Sequence, residues 1–298
     1  MSRIFDALQR SKLEGNNFDF PLMSSLAAEA PQAAQMTQAT EDQSDDCTIN
    51  DIVMEESLAI SPSPNSRLVS LTEQASLGAE KFRFLSVRLR QLRQTRSLQK
   101  VLITSAIPEE GKSTVSANLA ITLAQRRSQK ILLLEGDLRR PSLGTRFGLP
   151  KMPGLSEWLQ RGTGSTANIY HLESAGFWFL PAGSSPENPL ELIQSGRLSE
   201  LMDQLTTRFD WILIDSPPIL PMADTKVWTR SADGVLLVVR EGTTEKRQLQ
   251  RGLRALEETK LVGVVLNSCG NCDYSNYYQR YGPTPSAPQR DAEIIPEV

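Results

Sequence analysis

Apolar and polar positions change their period repeatedly between residues 101 and 266. Short, continuous apolar runs, typical of strands buried on both faces, alternate with segments whose apolar residues recur at helical spacing. The apolar runs begin at Val101 and then cover 131–134, 177–180, 211–214, 235–239 and 262–266, and the helical segments cover 115–127, 155–159, 190–205, 224–230 and 244–258. Strands that alternate with helices predict βαβ units, so we expect a doubly wound, mainly parallel α/β sheet.

Two further helices are predicted before this region. Ser2–Leu13 has a short amphipathic pattern, and a helix of that length needs a partner surface to persist in water. Leu71–Leu92 is longer, and one stripe along it is apolar: Phe82, Leu85, Leu89 and Leu92. This stripe predicts a helix that packs on the sheet.

The charge of the chain is unevenly distributed. The net charge is −3, yet residues 13–66 contain ten acidic residues and no Lys or Arg. A segment of this composition buries too little apolar area to fold alone, so we expect a disordered linker. The predicted organisation is a helix at 1–13, a linker at 14–66, a folded domain at 67–270 and a mobile tail at 271–298. No transmembrane run or secretory signal is apparent, which favours a cytoplasmic protein.

A phosphate-binding loop is predicted after the first apolar run of the folded domain. The sequence from Ala106 to Ser113 fits A-x-x-x-x-G-K-S, with a strand pattern before it and a helix pattern after it. Backbone N–H groups at such a helix start bind phosphate, a lysine reaches the β- and γ-phosphates, and a serine hydroxyl ligates Mg²⁺. The candidate nucleotide-binding residues are Ala106, Pro108, Glu110, Gly111, Lys112, Ser113 and Thr114. The motif indicates a P-loop NTPase type of fold that binds ATP.

Acidic residues follow two other apolar runs. The run 131–134 leads into Glu135 and Asp137, and the run 211–214 leads into Asp215. In open α/β sheets, ligands bind beyond the carboxyl ends of the strands, so Asp137 and Asp215 are expected beside a nucleotide on the P-loop. A hydroxyl and two carboxylates suit Mg²⁺, which predicts a metal site formed by Ser113, Asp137 and Asp215.

These motifs resemble those of the bacterial tyrosine kinases of polysaccharide synthesis and export. The resemblance covers about Leu77 to Gly282 and rests on 105–114, on 132–141 and on the Asp-Ser-Pro-Pro sequence at 215–218. It implies catalytic roles for Lys112, Asp137, Glu135 and Asp215, although the family usually has Asp where this chain has Glu135. In related P-loop ATPases, an Asn at the place of Asn267 binds adenine.

The resemblance also has implications for partners. It implies a homo-oligomer, in the form of a ring, whose contacts involve the Glu-x-Phe-Arg-x-Leu helix at 80–85. It further implies a separate membrane-embedded activator protein, which would hold the kinase at the inner face of the membrane, and a cognate tyrosine phosphatase. The net negative charge and the lack of a basic stripe argue against nucleic-acid binding.

A tyrosine cluster near the C-terminus separates the possible functions. Four of the five tyrosines lie within eight residues: Tyr274, Tyr277, Tyr278 and Tyr281. They resemble the autophosphorylated tail of the kinase family, which indicates an ATP-dependent autokinase that modifies neighbouring subunits. Two alternatives remain: an ATPase switch of the MinD/ParA type, which carries a second lysine where this chain has Ile107, and a nucleotide-gated scaffold of an export complex.

Overall fold

The computed structural model describes residues 52–161, 167–256 and 260–268. The eight strands in these ranges are β1 (Ile52–Leu58), β2 (Lys100–Ser105), β3 (Ile131–Glu135), β4 (Ala167–Leu172), β5 (Phe177–Leu180), β6 (Trp211–Asp215), β7 (Gly234–Arg240) and β8 (Leu261–Asn267). The α-helices are α1 (Val69–Thr72), α2 (Leu77–Thr95), α3 (Lys112–Ala124), α4 (Leu143–Phe147), α5 (Leu155–Arg161), α6 (Pro189–Ile193), α7 (Arg197–Arg208), α8 (Asp224–Ser231) and α9 (Lys246–Ala255). The predicted helix at 2–13 and the tyrosine tail lie outside the described residues.

The strands form one sheet in the order β1-β4-β5-β3-β6-β2-β7-β8. All neighbouring pairs are parallel except β4 and β5, which are antiparallel. The prediction of a mainly parallel α/β sheet is therefore confirmed. The antiparallel pair arises because a turn of four residues, which ends at Gly176 with a φ of 75°, joins β4 directly to β5 without a helix.

Helices cover both faces of the sheet, and each face has its own core. Successive side chains of a strand point to opposite faces. In β3, Leu132 and Leu134 belong to one cluster, with α5, α7 and α8, while Ile131 and Leu133 belong to the other, with α2 and α3. This arrangement explains why the central strands are continuous apolar runs. None of the described helices is both long enough and apolar enough to span a membrane.

The predicted disordered linker ends earlier than expected. Ile52–Leu58 forms a strand that pairs in parallel with β4, and the Ser61 N–H donates to the Phe147 carbonyl at 3.0 Å. The prediction of disorder up to Ser66 is thus wrong for residues 52–66. The local composition did not predict this strand, because the backbone hydrogen bonds that stabilise β1 come from β4, which is distant in sequence.

Two predicted helices are interrupted. The helix expected at 71–92 is divided into α1 and α2, because the Ser76 hydroxyl caps a new helix by accepting the Ala79 N–H at 3.1 Å. The helix expected at 190–205 is divided into α6 and α7 at Gly196, whose φ of 79° does not fit a helix. The apolar stripe of α2 does pack into the core as predicted, with Leu89 fully buried.

Candidate active site

The P-loop connects β2 to α3, and its backbone geometry depends on Gly111. This residue has a φ of 92°, and a Cβ atom there would lie 2.1 Å from the Asn267 amide nitrogen. Glu109 also has a positive φ, of 64°. The chain then enters α3 at Lys112, so the N–H groups of the first helical turn face the loop. The loop therefore leads directly into a helix N-terminus, the setting in which backbone N–H groups bind phosphate.

Glu110 holds the loop in place from inside. Its side chain is fully buried, accepts the Ile107 N–H at 2.8 Å and accepts the hydroxyl of Thr244 and the Arg240 N–H. Both carboxylate oxygens therefore bind protein groups. Sequence reasoning named Glu110 as a nucleotide-binding residue, but its side chain connects the P-loop to the end of β7.

Asn267 connects the P-loop to the last strand. Its amide nitrogen donates to the Glu110 carbonyl at 2.9 Å, and its amide oxygen accepts the Ser268 N–H at 2.9 Å. These hydrogen bonds leave one N–H and one oxygen lone pair of the Asn267 amide for the expected adenine contact. Asn267 ends β8 at the same edge of the sheet as the P-loop, because β7 and β8 are both parallel to β2.

Asp215 occupies the centre of the candidate site. It ends β6, which lies between β2 and β3, and it is 1% exposed. Its Oδ1 accepts the Ser116 hydroxyl at 3.1 Å, and the Ser113 hydroxyl also binds it. Burial raises the pKa of Asp215 to about 6, although Lys112 and both hydroxyls oppose the shift. The expected proximity of Lys112, Ser113 and Asp215 is thus present.

The two acids after β3 have different surroundings. Glu135 is 2% exposed and accepts three backbone N–H groups, those of Ser142 and Leu143 at 2.6 Å each and that of Ala182 at 3.2 Å. Burial raises its pKa to about 7, against the stabilising N–H groups. Asp137 is half-buried, and its Oδ1 accepts the Arg140 N–H at 3.0 Å. Of the two, Asp137 has the carboxylate that an incoming group can reach.

Trp228 fixes the turn between these acids and was missed by sequence reasoning. Its fully buried indole donates from Nε1 to the Gly136 carbonyl at 3.1 Å. The Gly136 N–H donates to the Asp215 carbonyl at 2.7 Å, which joins the ends of β3 and β6. The sequence places Trp228 in a short amphipathic helix, where a tryptophan is usually a core residue, so no pattern distinguished this role.

Asp224 and Arg139 form a second support beside Asp137. The guanidinium of Arg139 donates from Nε to Asp224 Oδ2 at 2.7 Å and from Nη2 to Oδ1 at 3.1 Å, and Asp224 is almost fully buried. Such a bidentate pair fixes orientation as well as charge. It ties the chain after β3 to the start of α8.

The oxygen atoms at this edge of the sheet fit Mg²⁺ bound together with phosphates. Within the described ranges, no group of three His, Cys, Asp or Glu residues forms a metal cage. The available ligands are instead the Ser113 hydroxyl and the carboxylates of Asp137 and Asp215. Mg²⁺ commonly uses one or two carboxylates, substrate phosphates and water, so this donor set suits a metal–nucleotide complex.

Relatives and solved structures identify the family to which this arrangement belongs. The chain matches no family model. It is 34% identical over 212 residues to the tyrosine-protein kinase YwqD of Bacillus subtilis, covering 70% of this chain and 89% of the relative. It is 33% identical to the putative tyrosine-protein kinase CapB of Staphylococcus aureus, covering 68% of this chain and 90% of CapB.

Two solved structures have the same fold. The chimeric protein CapA2B2 superposes with a TM-score of 0.64 at 32% identity, covering 73% of this chain and 96% of that chain. The kinase domain of the Escherichia coli tyrosine kinase ETK gives a TM-score of 0.61 at 28% identity, covering 69% of this chain and 82% of that chain. Together with the site at the ends of β2, β3 and β6, this similarity means that the chain belongs to the family of bacterial tyrosine-protein kinases.

Proposed function

We propose that this protein transfers the γ-phosphate of ATP to tyrosines in the C-terminal tail of a neighbouring copy of itself. One observation carries the proposal. The P-loop, Asp137 and Asp215 lie at the carboxyl ends of three adjacent strands, and β8, the last described strand before the tail in the sequence, ends at the same edge of the sheet. The acceptors are Tyr274, Tyr277, Tyr278 and Tyr281, which lie outside the described residues.

ATP and Mg²⁺ are the cofactors that this site fits. The loop N–H groups at the start of α3 would bind the phosphates, and Lys112 would neutralise the β- and γ-phosphates. Ser113 and Asp215, which already contact each other, would hold Mg²⁺ directly or through water. Phosphoryl transfer depends mainly on such positioning and charge neutralisation.

Asp137 is the proposed group that receives the acceptor proton. A tyrosine has a pKa near 10, so its hydroxyl benefits from a nearby carboxylate when it attacks phosphorus. The new bond joins the phenol oxygen to the γ-phosphorus, the bond to the β-phosphate oxygen breaks, and the phenol proton passes to Asp137. Glu135 acts as a positioning residue, because its two oxygens already accept three backbone N–H groups.

The direction of β8 favours transfer between copies. Asn267 lies four strand positions from β3, a distance of about 19 Å at roughly 4.8 Å per strand. Tyr274 follows Asn267 by seven residues, which span at most about 23 Å. For Tyr274, a return to its own site would require the chain to reverse direction with almost no spare length. Tyr281 can extend about 46 Å from Asn267, which is enough to reach another copy or its own site, so the short reach of Tyr274 is what favours transfer between copies.

The outer face of α2 is the proposed contact between copies. The predicted apolar stripe of this helix packs into the core, but Phe84 is 69% exposed and Val87 is 46% exposed on the other side.

Each phosphotyrosine adds about −1.5 to −2 charges, so a phosphorylated tail would be repelled by the acidic site. Light scattering should give a ring-sized mass for the dephosphorylated protein and a smaller mass after phosphorylation. Equal masses would refute this switch.

The cellular setting follows from the same reasoning. We propose that the kinase regulates synthesis and export of a polysaccharide, as a cytoplasmic protein held at the membrane by a separate activator, and that a tyrosine phosphatase reverses its phosphorylation. The resemblance of the sequence motifs to those of the polysaccharide-export kinases supports this setting. Co-purification of the protein with its membrane activator, dependent on residues 1–13 or on the domain surface, would test it.

A phosphotyrosine assay tests the kinase proposal against an ATPase switch. Wild-type protein, Lys112→Met and a variant with all four tail tyrosines changed to Phe are incubated with γ-labelled ATP and Mg²⁺. Label on tyrosine is expected in the wild type and absent from both variants. Phosphate release without any phosphotyrosine in the wild type would instead identify an ATPase switch.

A further inference from the structure

Two arginines outside the recognised motifs lie beside the P-loop helix. Arg146 is on α4, and its Nη1 lies 3.4 Å from the Ser66 carbonyl, a long hydrogen bond. Arg67 is the next residue after Ser66. Sequence reasoning assigned no role to either, because Arg67 lay at the edge of the expected domain and Arg146 lay between the predicted helices and strands. The fold brings them together at one side of α3.

The backbone of Arg67 is fixed to the P-loop helix. The buried amide of Asn118 donates from Nδ2 to the Arg67 carbonyl at 2.9 Å and to the Thr114 carbonyl at 2.8 Å. Asn118 Oδ1 also accepts the Ser70 N–H at 2.9 Å. Arg67 itself has a φ of 55°, which is uncommon for a residue other than glycine. Its position is therefore set by contacts with the first turns of α3.

Neither arginine of this pair forms an ion pair with an acid among the described residues. In the described parts of the chain, ion pairs within 4 Å involve Arg83, Lys100 and Arg139, but neither Arg67 nor Arg146. The Arg146 Nε is buried and has no hydrogen-bond partner among the described residues. Burial lowers the pKa of Arg146, Asp215 opposes this shift, and Arg67 adds to it. The charges of Asp215 and Arg67 therefore both act on the Arg146 guanidinium.

Arg67 is exposed, so water solvates its charge, but the buried and unpaired Nε of Arg146 is unfavourable unless an acceptor reaches it. The anion that belongs beside Thr114 and Asp215 is the phosphate chain of the nucleotide. A guanidinium also presents several donors in a plane, which matches phosphate oxygens.

We propose that Arg146, with Arg67 beside it, binds the phosphates of the nucleotide and supplements Lys112. This inference rests on the proposed nucleotide binding. Arg146 is then a binding residue that the sequence motifs of the P-loop do not include. Because its Nε is unpaired and its contact to Ser66 is long, the Arg146 guanidinium has donors that phosphate oxygens can accept.

Nucleotide affinity tests the proposal directly. Fluorescent ATP and ADP analogues are titrated, with Mg²⁺, into wild type, Arg146→Gln and Arg146→Lys. The Gln variant should bind about 10- to 100-fold more weakly, as expected for loss of a charge-assisted hydrogen bond, and the Lys variant should be intermediate. Lys151→Gln is the control, because it removes one positive charge from an exposed side chain in the neighbouring segment. This variant should bind the nucleotide analogues as tightly as wild type.

Thermal melting separates a ligand-binding role from a structural one. Without nucleotide, Arg146→Gln should melt at or slightly above the wild-type temperature, because it removes an unpaired cation. With MgATP, its increase in melting temperature should be smaller than that of wild type. Unchanged nucleotide affinity in Arg146→Gln, or a lower melting temperature without nucleotide and a normal shift with it, would overturn the proposal. Failure of wild-type protein to bind nucleotide would refute the proposed function itself.

Discussion

Gly136 offers a sharp test of how the fold positions the catalytic acids. A Cβ atom at this position would lie 2.9 Å from the Asp215 carbonyl oxygen and 2.9 Å from two ring carbons of Trp228. Neither neighbour can move easily, since one is backbone and the other is a fully buried side chain. Gly136→Ala should therefore shift the turn that carries Glu135 and Asp137.

The expected size of this effect follows from the cost of overpacking. An added methyl group in a packed core typically costs about 1–3 kcal/mol. For a domain of this size, each kcal/mol lowers the melting temperature by about 2–4 °C, so a decrease of about 2–12 °C is expected. A displacement of Asp137 by about 1 Å would also reduce the rate of autophosphorylation by up to about 100-fold.

Gly144→Ala is the matched control. It makes the same substitution eight residues later, in α4, where a Cβ atom has no neighbour within 4 Å. It should leave the rate unchanged and the melting temperature unchanged or slightly higher, because alanine favours a helix. Circular dichroism melting and initial rates with labelled ATP measure both effects. If Gly136→Ala behaves like the control, the packing of Trp228 on this turn does not position Asp137.

Three further predictions concern acids and boundaries. Asp137→Asn and Asp215→Asn should each reduce autophosphorylation more than Glu135→Gln, measured as initial rates; an equally severe Glu135→Gln would make Glu135 catalytic. The unfolding free energy of nucleotide-free protein should fall as the pH rises from about 5 to 8. Glu135 and Asp215 have pKa values of about 7 and 6 in the folded state, so they retain protons there that the unfolded chain has released. Urea titrations at each pH should show a flatter pH dependence of the unfolding free energy for Glu135→Gln, and a slope identical to that of wild type would contradict the assignment. Deletion of residues 1–51 should leave the melting temperature unchanged, whereas deletion of residues 1–66 should lower it, because the longer deletion removes β1. Equal melting temperatures for the two deletion variants would mean that β1 adds no stability.

The sequence was sufficient for the parts of the fold that depend on local patterns. Buried central strands such as β3 and β6 appear as continuous apolar runs, and the P-loop appears as a motif between a strand and a helix. Because strand ends in a parallel sheet meet at one edge, the proximity of Asp137 and Asp215 to Lys112 could also be predicted.

The remaining features depend on contacts between distant segments. β1 forms because β4 supplies backbone partners, and nothing in its acidic surroundings indicates this pairing. The role of Glu110 depends on the end of β7, which is distant in sequence and lies against the P-loop only in the folded chain. The buried amide of Asn118, which fixes Arg67, likewise looks like an ordinary helix residue in the sequence.

Transfer of phosphate between two defective copies tests the central claim most directly. Lys112→Met protein, which keeps its tail but lacks the P-loop lysine, is mixed with protein that ends at residue 270, which keeps the site but lacks the tyrosines. Neither protein alone should incorporate label from γ-labelled ATP. In the mixture, mass spectrometry should find phosphotyrosine between residues 274 and 281 of the Lys112→Met protein. If that tail stays unmodified while the wild type is phosphorylated, transfer between copies is refuted.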